Sequence, residues 1–263
     1  MQIAYAESGQ GMPLVLLHAY PLHAAMWAGQ RDRLAADCRV ITPDQRGFGD
    51  SDGSPDSDDP DLGHVADDVR DLLDRLDLPQ VVLGGLSMGG YVALAFLRRY
   101  PERLAGLLLA DTKATADTSE AAADRHRIAD AVEKAGNTDL VATGTVPNLL
   151  GATTRWQRPE VYETVAELTR SQSPRAVAWA QRAMAVRADA TDLLAEVSVP
   201  TLVVVGEEDT VTPPSDAVAI VDRVPGAQLR RIPAAGHLSA LEAPDRFNTA
   251  VRSLLKRCAA VAG

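Results

Sequence analysis

Short apolar runs rich in β-branched residues recur along the chain and alternate with stretches that have a helical pattern. In chain order the runs are residues 14–17, 39–42, 81–83, 107–109, 201–205 and, more weakly, 228–232. Continuous runs of this kind are typical of parallel strands that are covered on both faces. An apolar stripe between the second and third runs predicts an amphipathic helix, formed by Val65, Val69, Leu72, Leu73 and Leu76. The alternation of strand and helix predicts an α/β domain with a mostly parallel sheet.

One long stretch breaks this alternation. From about Lys113 to Asp192 the sequence is helix-forming, is rich in Ala, Glu and Arg, and holds no convincing strand. One interpretation is a set of extra helices packed on the sheet. The other is a helical insertion above the carboxyl ends of the strands, where open α/β sheets bind their ligands.

Length, composition and charge narrow the classes of function. The chain has 263 residues, 46% of them hydrophobic and 24% charged, which is ordinary for a globular protein of one large or two small domains. Its net charge of −10 disfavours nucleic acid as the main partner, because phosphate binding needs a basic surface. No apolar stretch approaches the ~20 residues of a membrane span, and residues 1–5 lack the basic start of a signal peptide. We therefore expect a cytoplasmic protein without a membrane partner.

Neither the cysteines nor the histidines have the spacing of a metal site. Cys38 and Cys258 lie in no metal-ligand or disulfide pattern, so we interpret them as incidental thiols. The five histidines lack the short mutual spacing of a zinc site. The sequence thus predicts chemistry that uses no metal.

The strongest chemical signal is a G-x-S-x-G sequence centred on Ser87. It follows the strand at 81–83 and precedes a helical pattern over residues 88–99, the strand–turn–helix context of a nucleophile elbow. A serine in so sharp a turn needs neighbours without side chains, and Gly85 and Gly89 supply them. The following helix also favours negative charge at its N-terminus. The alternative is a glycine-rich turn that holds an ordinary serine, and the context favours the nucleophile.

A nucleophilic serine needs a base and an acid that orients the base, in the chain order Ser, Asp or Glu, His. Asp209 follows the strand at 201–205, and His237 follows the strand at 228–232. We expect these two to serve as the acid and the base. The competing acids that the sequence leaves open are Glu207, Glu208 and Asp111. The other histidines are more typical of surface or packing positions.

An oxyanion hole requires two backbone N–H groups that point at the developing negative charge. One should be the N–H of Met88, directly after the nucleophile. The other should come from the loop after the strand at 14–17, where we expect Tyr20, with Ala19 as the alternative. His18 in the same loop is expected to brace the loop rather than to act as a base.

These segments resemble the α/β-hydrolase superfamily over about Ile3 to Leu255. Besides the serine turn, residues 44–52 are similar to its D-x-R-G-x-G-x-S turn, whose role there is structural, and residues 206–209, 236–237, 242 and 244 match its acid and histidine segments. Ala19 departs from the glycine that the family usually has there. The resemblance implies an α/β-hydrolase fold with a mostly parallel eight-stranded sheet flanked by helices and a helical cap inserted between strands six and seven.

The same resemblance implies a division into domains. Residues 1–112 and 193–263 would form the core domain and residues 113–192 the cap. The expected walls of the substrate pocket are Tyr20 and, from the cap, Trp156, Tyr162, Trp179 and Met184. Taken singly, each large apolar cap residue is more typical of a packed core. The residues at 109–114 look most like those of enol-lactonases and small carboxylesterases.

A serine in the turn implies acyl transfer, whereas the dehalogenases and epoxide hydrolases of the superfamily carry an aspartate there. We expect hydrolysis of a small-molecule carboxylic ester or lactone through an acyl-enzyme, with Ser87, His237 and Asp209 as the triad and no cofactor. Cleavage of a carbon–carbon bond, formation of a peracid and ligand binding with slow turnover stay open as alternatives. The protein is expected to be a monomer or a homodimer.

Overall fold

The computed structural model describes residues 2–52 and 59–262. Residues 1, 53–58 and 263, which the expected core domain includes, lie outside the described residues. The strands are β1 (Tyr5–Ser8), β2 (Pro13–Leu17), β3 (Arg39–Pro43), β4 (Val81–Leu86), β5 (Leu104–Ala110), β6 (Thr201–Gly206) and β7 (Gln228–Ile232). They form one sheet in the order β1-β3-β2-β4-β5-β6-β7, in which β1 pairs antiparallel with β3 and every other pair is parallel.

Helices connect the parallel strands, as crossovers between parallel strands require. They are α1 (Ala28–Leu34), α2 (Leu62–Arg75), α3 (Met88–Arg99), α4 (Ser119–Ala135), α5 (Asp139–Gly144), α6 (Val146–Leu149), α7 (Ala152–Gln157), α8 (Pro159–Arg170), α9 (Pro174–Ala185), α10 (Pro214–Val221), α11 (Ser239–Glu242) and α12 (Pro244–Ala262). No helix within residues 2–52 and 59–262 has both the length and the apolar character needed to cross a membrane.

The sheet has one strand fewer than expected. The described residues form seven strands rather than eight, and the inserted helices therefore follow the fifth strand instead of the sixth. The apolar pattern of the chain indicates six strands, and the short edge strand β1, whose residues alternate between exposed and half-buried, makes the seventh. The eighth strand came from the resemblance alone, and no apolar run among the described residues supplies it.

Two apolar layers cover the sheet because successive side chains of a strand point to opposite faces. Along β2, Val15 and Leu17 join one cluster together with α2, α3 and α9. Leu14 and Leu16 join the other, together with α1 and α12. Burial on both faces explains why these strands are continuous apolar runs in the sequence.

The inserted segment, residues 113–192, consists of α4 to α9 and contains no strand among the sheet members. It leaves the sheet at the end of β5 and returns at β6, so it starts and finishes at neighbouring strands. Its helices contribute buried residues to both apolar layers, with Val132 and Trp179 in one and Val146 and Val165 in the other. Buried residues of the segment therefore belong to the same apolar clusters as those of the sheet.

The contact between α12 and Trp27, the residue that precedes α1, offers a test of the packing on one face. Phe247 of α12 lies with its ring centroid 5.9 Å from that of Trp27, and both side chains are fully buried. We expect Phe247→Ala to lower the free energy of unfolding by about 3–5 kcal/mol, because it removes a buried ring and leaves a cavity. Denaturation in urea measures the change.

Val261→Ala is the control on the same helix, because that side chain is 74% exposed, and its effect should stay within about 0.5 kcal/mol. A loss below about 1 kcal/mol for Phe247→Ala would contradict the assignment of this ring to the core.

Candidate active site

The turn between β4 and α3 places Ser87 in a conformation that side chains rarely adopt. Its φ of 56° and ψ of −114° lie outside the main allowed regions for a non-glycine residue. The turn is held by a hydrogen bond from its N–H to the carbonyl of Ala110 at 2.9 Å and by one from the Thr112 hydroxyl to its own carbonyl at 2.9 Å. Strain of this kind persists only where the surrounding structure enforces it, and it is concentrated at functional sites.

The glycines that flank Ser87 allow close backbone contacts. A Cβ atom on Gly85 would lie 2.5 Å from the nitrogen of Gly90, and one on Gly89 would lie 2.7 Å from the carbonyl carbon of Leu17. Either distance is shorter than a side chain tolerates. The two glycines therefore let α3 begin directly beneath β2 and β4, which presents Ser87 at the carboxyl edge of the sheet.

His237 joins Ser87 and Asp209 into one hydrogen-bonded chain. Its Nε2 lies 2.7 Å from the Oγ of Ser87, and its Nδ1 lies 2.9 Å from Oδ2 of Asp209. The histidine and the aspartate are buried, with 2% and 3% of their surface exposed, whereas Ser87 is partly accessible. An imidazole that donates from Nδ1 to a carboxylate keeps its Nε2 lone pair for the serine proton.

Hydrogen bonds keep Asp209 ionised in its buried position. Burial raises the pKa of this carboxyl, but hydrogen bonds from His237 and Thr212 outweigh it and hold the pKa below the usual range. Oδ1 accepts from the N–H groups of Val211 and Thr212 at 2.8 and 3.0 Å, and Oδ2 accepts from the Thr212 hydroxyl at 2.8 Å. Sequence reasoning missed Thr212, whose only signal was its place in the turn just after an aspartate.

The competing acids are engaged elsewhere. Asp111 is fully buried, and its carboxyl accepts from the N–H of Gly206 at 2.9 Å and from the N–H and hydroxyl of Ser239 at 3.2 and 2.5 Å. Glu208 accepts hydrogen bonds from Thr153, and Glu207 is exposed. Among the described carboxyl groups, Asp209 is the one that contacts His237.

Asp111 nevertheless shares the electrostatic environment of the site. Burial, followed by the negative charge of Asp209, raises its pKa well above the usual range, and the hydrogen bonds from Ser239 and Gly206 only partly oppose this. Two buried carboxyl groups near each other resist ionising together. The pKa values of Asp111 and Asp209 are therefore displaced in opposite directions.

The two expected oxyanion donors have different surroundings from the alternative donor. The N–H of Ala19 donates to the sulfur of Met26 at 3.2 Å. The N–H groups of Tyr20 and Met88 have no acceptor within the described part of the chain. Met88 is the first residue of α3, where helix geometry leaves N–H groups without partners. This arrangement favours Tyr20 over Ala19 as the second donor.

His18 braces the loop that carries Tyr20. Its Nε2 accepts from the N–H of Gln45 at 2.9 Å, its Nδ1 lies 3.0 Å from the carbonyl of Ala19, and its own carbonyl accepts from the Gln45 amide at 2.7 Å. Burial lowers the pKa of His18 to about 4, with smaller opposing effects from Ala19 and Asp44. A neutral ring with both nitrogens engaged holds the loop and is not available as a base.

The turn at residues 44–52 is held by its own side chains. Asp44 accepts from the N–H of Ala24 at 2.7 Å and from that of Asp50 at 3.0 Å. Arg46 forms a two-pronged ion pair with Asp68, with N–O distances of 2.8 and 3.1 Å. These bonds give the turn a structural role, which agrees with its exclusion from the catalytic candidates.

The residues expected to line the pocket differ in how deeply they are buried. Tyr20, Trp179 and Met184 are buried in one apolar layer, and Tyr162 is half-buried against the other. Trp156 departs from the expectation, because its side chain on the short surface helix α7 is 83% exposed and faces solvent instead of an enclosed pocket. The apolar character of a single tryptophan could not reveal which side of its helix meets the protein.

The sequence matches the model of the family described as having the α/β-hydrolase fold over residues 12–244. Two enol-lactonases of Acinetobacter baylyi are among the similar proteins. 3-Oxoadipate enol-lactonase 2 is 29% identical over 96% of this chain and 92% of its own, and 3-oxoadipate enol-lactonase 1 is 31% identical over 84% of this chain and 80% of its own.

A solved structure also resembles this one closely. The malate-bound thermophilic esterase of Thermogutta terrifontis superimposes with a TM-score of 0.94 and is 42% identical, over 97% of this chain and 93% of its own. The similarity covers the sheet and the inserted helices alike, since almost the whole chain is aligned.

The raised pKa of Asp111 generates a prediction about stability. Below about pH 4 this carboxyl is protonated in both the folded and the unfolded chain, and above it only the unfolded chain ionises readily. The ionisation favours the unfolded state, so the wild type should lose stability relative to Asp111→Asn as the pH rises from about 4. Urea denaturation at a series of pH values measures the difference. A difference that stays constant with pH would show that the Asp111 carboxyl ionises equally in both states.

Proposed function

The chain belongs to the α/β-hydrolase family, and from this premise we propose that it is a serine hydrolase that cleaves carboxylic esters or lactones through an acyl-enzyme intermediate. The observation that carries the proposal is the hydrogen-bonded chain from Ser87 through His237 to Asp209. It supplies a nucleophile, a base and an acid that orients the base, in contact with one another.

In the acylation step, the Ser87 oxygen attacks the carbonyl carbon of the substrate while its proton passes to Nε2 of His237. Asp209, ionised and fixed by the turn that includes Thr212, accepts the Nδ1–H bond and stabilises the imidazolium that forms. The protonated histidine then gives its proton to the leaving alkoxide. In a lactone this leaving group stays tethered to the acyl chain.

The negative oxygen of the tetrahedral intermediate requires donors that are already in place. The N–H groups of Met88 and Tyr20, which have no acceptor among the described residues, support that role. The N-terminus of α3 adds a partial positive charge beneath the reacting centre. In deacylation, water attacks the acyl carbon while its proton passes to Nε2 of His237. The bond between the acyl group and the Ser87 oxygen then breaks, His237 returns the proton to that oxygen, and the acid is released. Each step uses this chain's own groups.

The assignment to esters or lactones is supported by the nucleophile and by similar proteins. Serine forms an acyl-enzyme from a carbonyl substrate. Two similar proteins are named enol-lactonases, and the similar solved structure is that of an esterase. We further propose that residues 113–192 act as a cap over the carboxyl edge of the sheet, where Trp179 and Met184 are positioned to shape the acyl pocket. Tyr20 would contribute from the oxyanion loop.

The first test is hydrolysis of p-nitrophenyl butyrate by the wild type and by Ser87→Ala. We expect steady turnover by the wild type and a fall in kcat of about 10⁴-fold or more in the variant, since nothing replaces the nucleophile. Ser171→Ala, an exposed serine in the inserted segment, is the control and should turn over as the wild type does. Equal rates for wild type and Ser87→Ala would exclude the proposed nucleophile, and tight binding without turnover would indicate a ligand-binding protein.

The second test separates the two buried carboxyl groups. We expect Asp209→Asn to lower kcat by about 10³–10⁴-fold, because the amide cannot hold the imidazole in the required tautomer. Asp111→Asn should cost far less, because Asp111 bonds to Gly206 and Ser239 and not to His237. The same p-nitrophenyl ester assay compares the two. The opposite ranking would reassign the catalytic acid to Asp111.

A further inference from the structure

Three backbone segments meet behind the candidate triad. They are the turn after β6, which carries Asp209, the loop after β7, which carries His237, and the start of α7 in the inserted segment. A Cβ atom on Gly206 would lie 2.8 Å from the carbonyl carbon of Ala235, and one on Gly236 would lie 2.8 Å from the Cα of Gly151. Only glycines let the three backbones approach so closely.

Glu208 connects the first of these segments to the third. It precedes Asp209 in the chain, and its own N–H donates to the carbonyl of Ala235 at 2.8 Å. Its side chain crosses to α7, where Oε2 accepts from the N–H of Thr153 at 2.8 Å and Oε1 accepts from the Thr153 hydroxyl at 2.5 Å. The half-buried carboxylate therefore spans from the acid turn to the inserted helix.

Glu242 connects the second segment to the third. It lies at the end of α11 and is 2% exposed. Its Oε2 accepts from the N–H of Gly151 at 2.9 Å, and its Oε1 accepts from the N–H of Leu238 at 3.1 Å. Leu238 is the residue directly after His237, so this carboxylate joins the backbone beside the histidine to the backbone that begins α7.

We propose that Glu208 and Glu242 are positioning residues that fix α7 of the inserted segment to the two loops carrying Asp209 and His237, so that the placement of the cap and the geometry of the triad depend on each other. The inference rests on the function proposed above for these residues. Neither glutamate touches the reacting atoms. Each acts through the backbone next to a triad residue.

Two physical properties make these links suitable for positioning. Both are hydrogen bonds to a charged carboxylate, and in both the carboxylate accepts from a backbone N–H of the start of α7. Hydrogen bonds to a carboxylate are stronger than those between neutral groups, and bonds to backbone N–H groups fix the chain itself rather than a mobile side chain. A displacement of α7 would pull on the peptide units next to Asp209 and His237. Catalytic geometry tolerates little of this, because a shift of about 1 Å can cost 10²-fold in rate.

The two glutamates differ in a way that makes the proposal testable. Glutamine can replace Glu208, because its carbonyl still accepts the N–H of Thr153 and its amide can donate to the threonine hydroxyl, which is able to accept. Glutamine cannot replace Glu242. Both partners there are backbone N–H groups that only donate, so one of them would face the amide NH₂.

The experiment measures kcat and KM on p-nitrophenyl butyrate for the Ala and Gln variants of both glutamates. We expect kcat to fall about tenfold in Glu208→Ala, Glu242→Ala and Glu242→Gln, and to stay within about twofold of the wild type in Glu208→Gln. Glu207→Ala is the matched control on the same turn, because Glu207 is exposed, and it should leave both constants unchanged.

Backbone hydrogen exchange of the same variants gives a readout that does not need turnover. In Glu208→Ala, Glu242→Ala and Glu242→Gln, the backbone amides of residues 150–157 should exchange faster than in the wild type. In Glu208→Gln they should exchange at the wild-type rate. Wild-type kinetics and exchange in Glu208→Ala, or equal effects of Gln and Ala at Glu208, would overturn the proposal. If Glu242→Ala does not fold, the comparison of Glu208→Ala with Glu208→Gln tests the proposed link by itself, because Glu208 is only half-buried. If the wild type hydrolyses no ester or lactone, the proposed function fails while the exchange data still test the link.

Discussion

The sharp turn between β4 and α3 is the constraint on which the rest of the site depends, because it holds Ser87 at a positive φ that a residue with a side chain rarely adopts. The turn exists only where neighbouring backbones approach without side chains between them, which accounts for Gly85 and Gly89. Once Ser87 stands at the carboxyl edge of the sheet, the other groups must come from loops at the same edge. Parallel strands provide such loops after β2, β6 and β7.

The pKa values of the buried carboxyl groups in the site depend on the hydrogen-bond donors and the charges around each of them. Asp209 has donors from a turn of its own and from His237, and these hold its pKa low although it is buried. Asp111 also has donors, but its greater burial and the charge of Asp209 raise its pKa. The carboxylate of Asp209, in contact with Nδ1 of His237 at 2.9 Å, is the partner for the imidazolium. Similar residue types thus acquire different roles from their surroundings.

The inserted helices are joined to the sheet more closely than a separate lid would be. They contribute to both apolar layers, and their helix α7 is bonded to the loops behind the proposed triad through Glu208 and Glu242. Substrate specificity and catalytic geometry would then be difficult to change independently in this protein. The solved esterase of Thermogutta terrifontis aligns over 97% of the chain, these helices included.

The sequence by itself determined the elements that local pattern controls, namely the buried strands, the helix that starts at Met88, the serine turn and the order in which Asp209 and His237 follow it. The family resemblance implied one strand more than the described residues form, and the expected pocket position of Trp156 was wrong. The sequence favoured Asp209 as the acid and left Glu207, Glu208 and Asp111 open. The role of each carboxyl group and the exposure of Trp156 depend on the groups that each side chain contacts in the folded chain. Asp111 meets Ser239 at a separation of 128 residues, and Glu208 meets Thr153 at 55. Only the tertiary structure brings such pairs together, because burial and hydrogen-bond partners are properties of the packed chain and not of the local sequence.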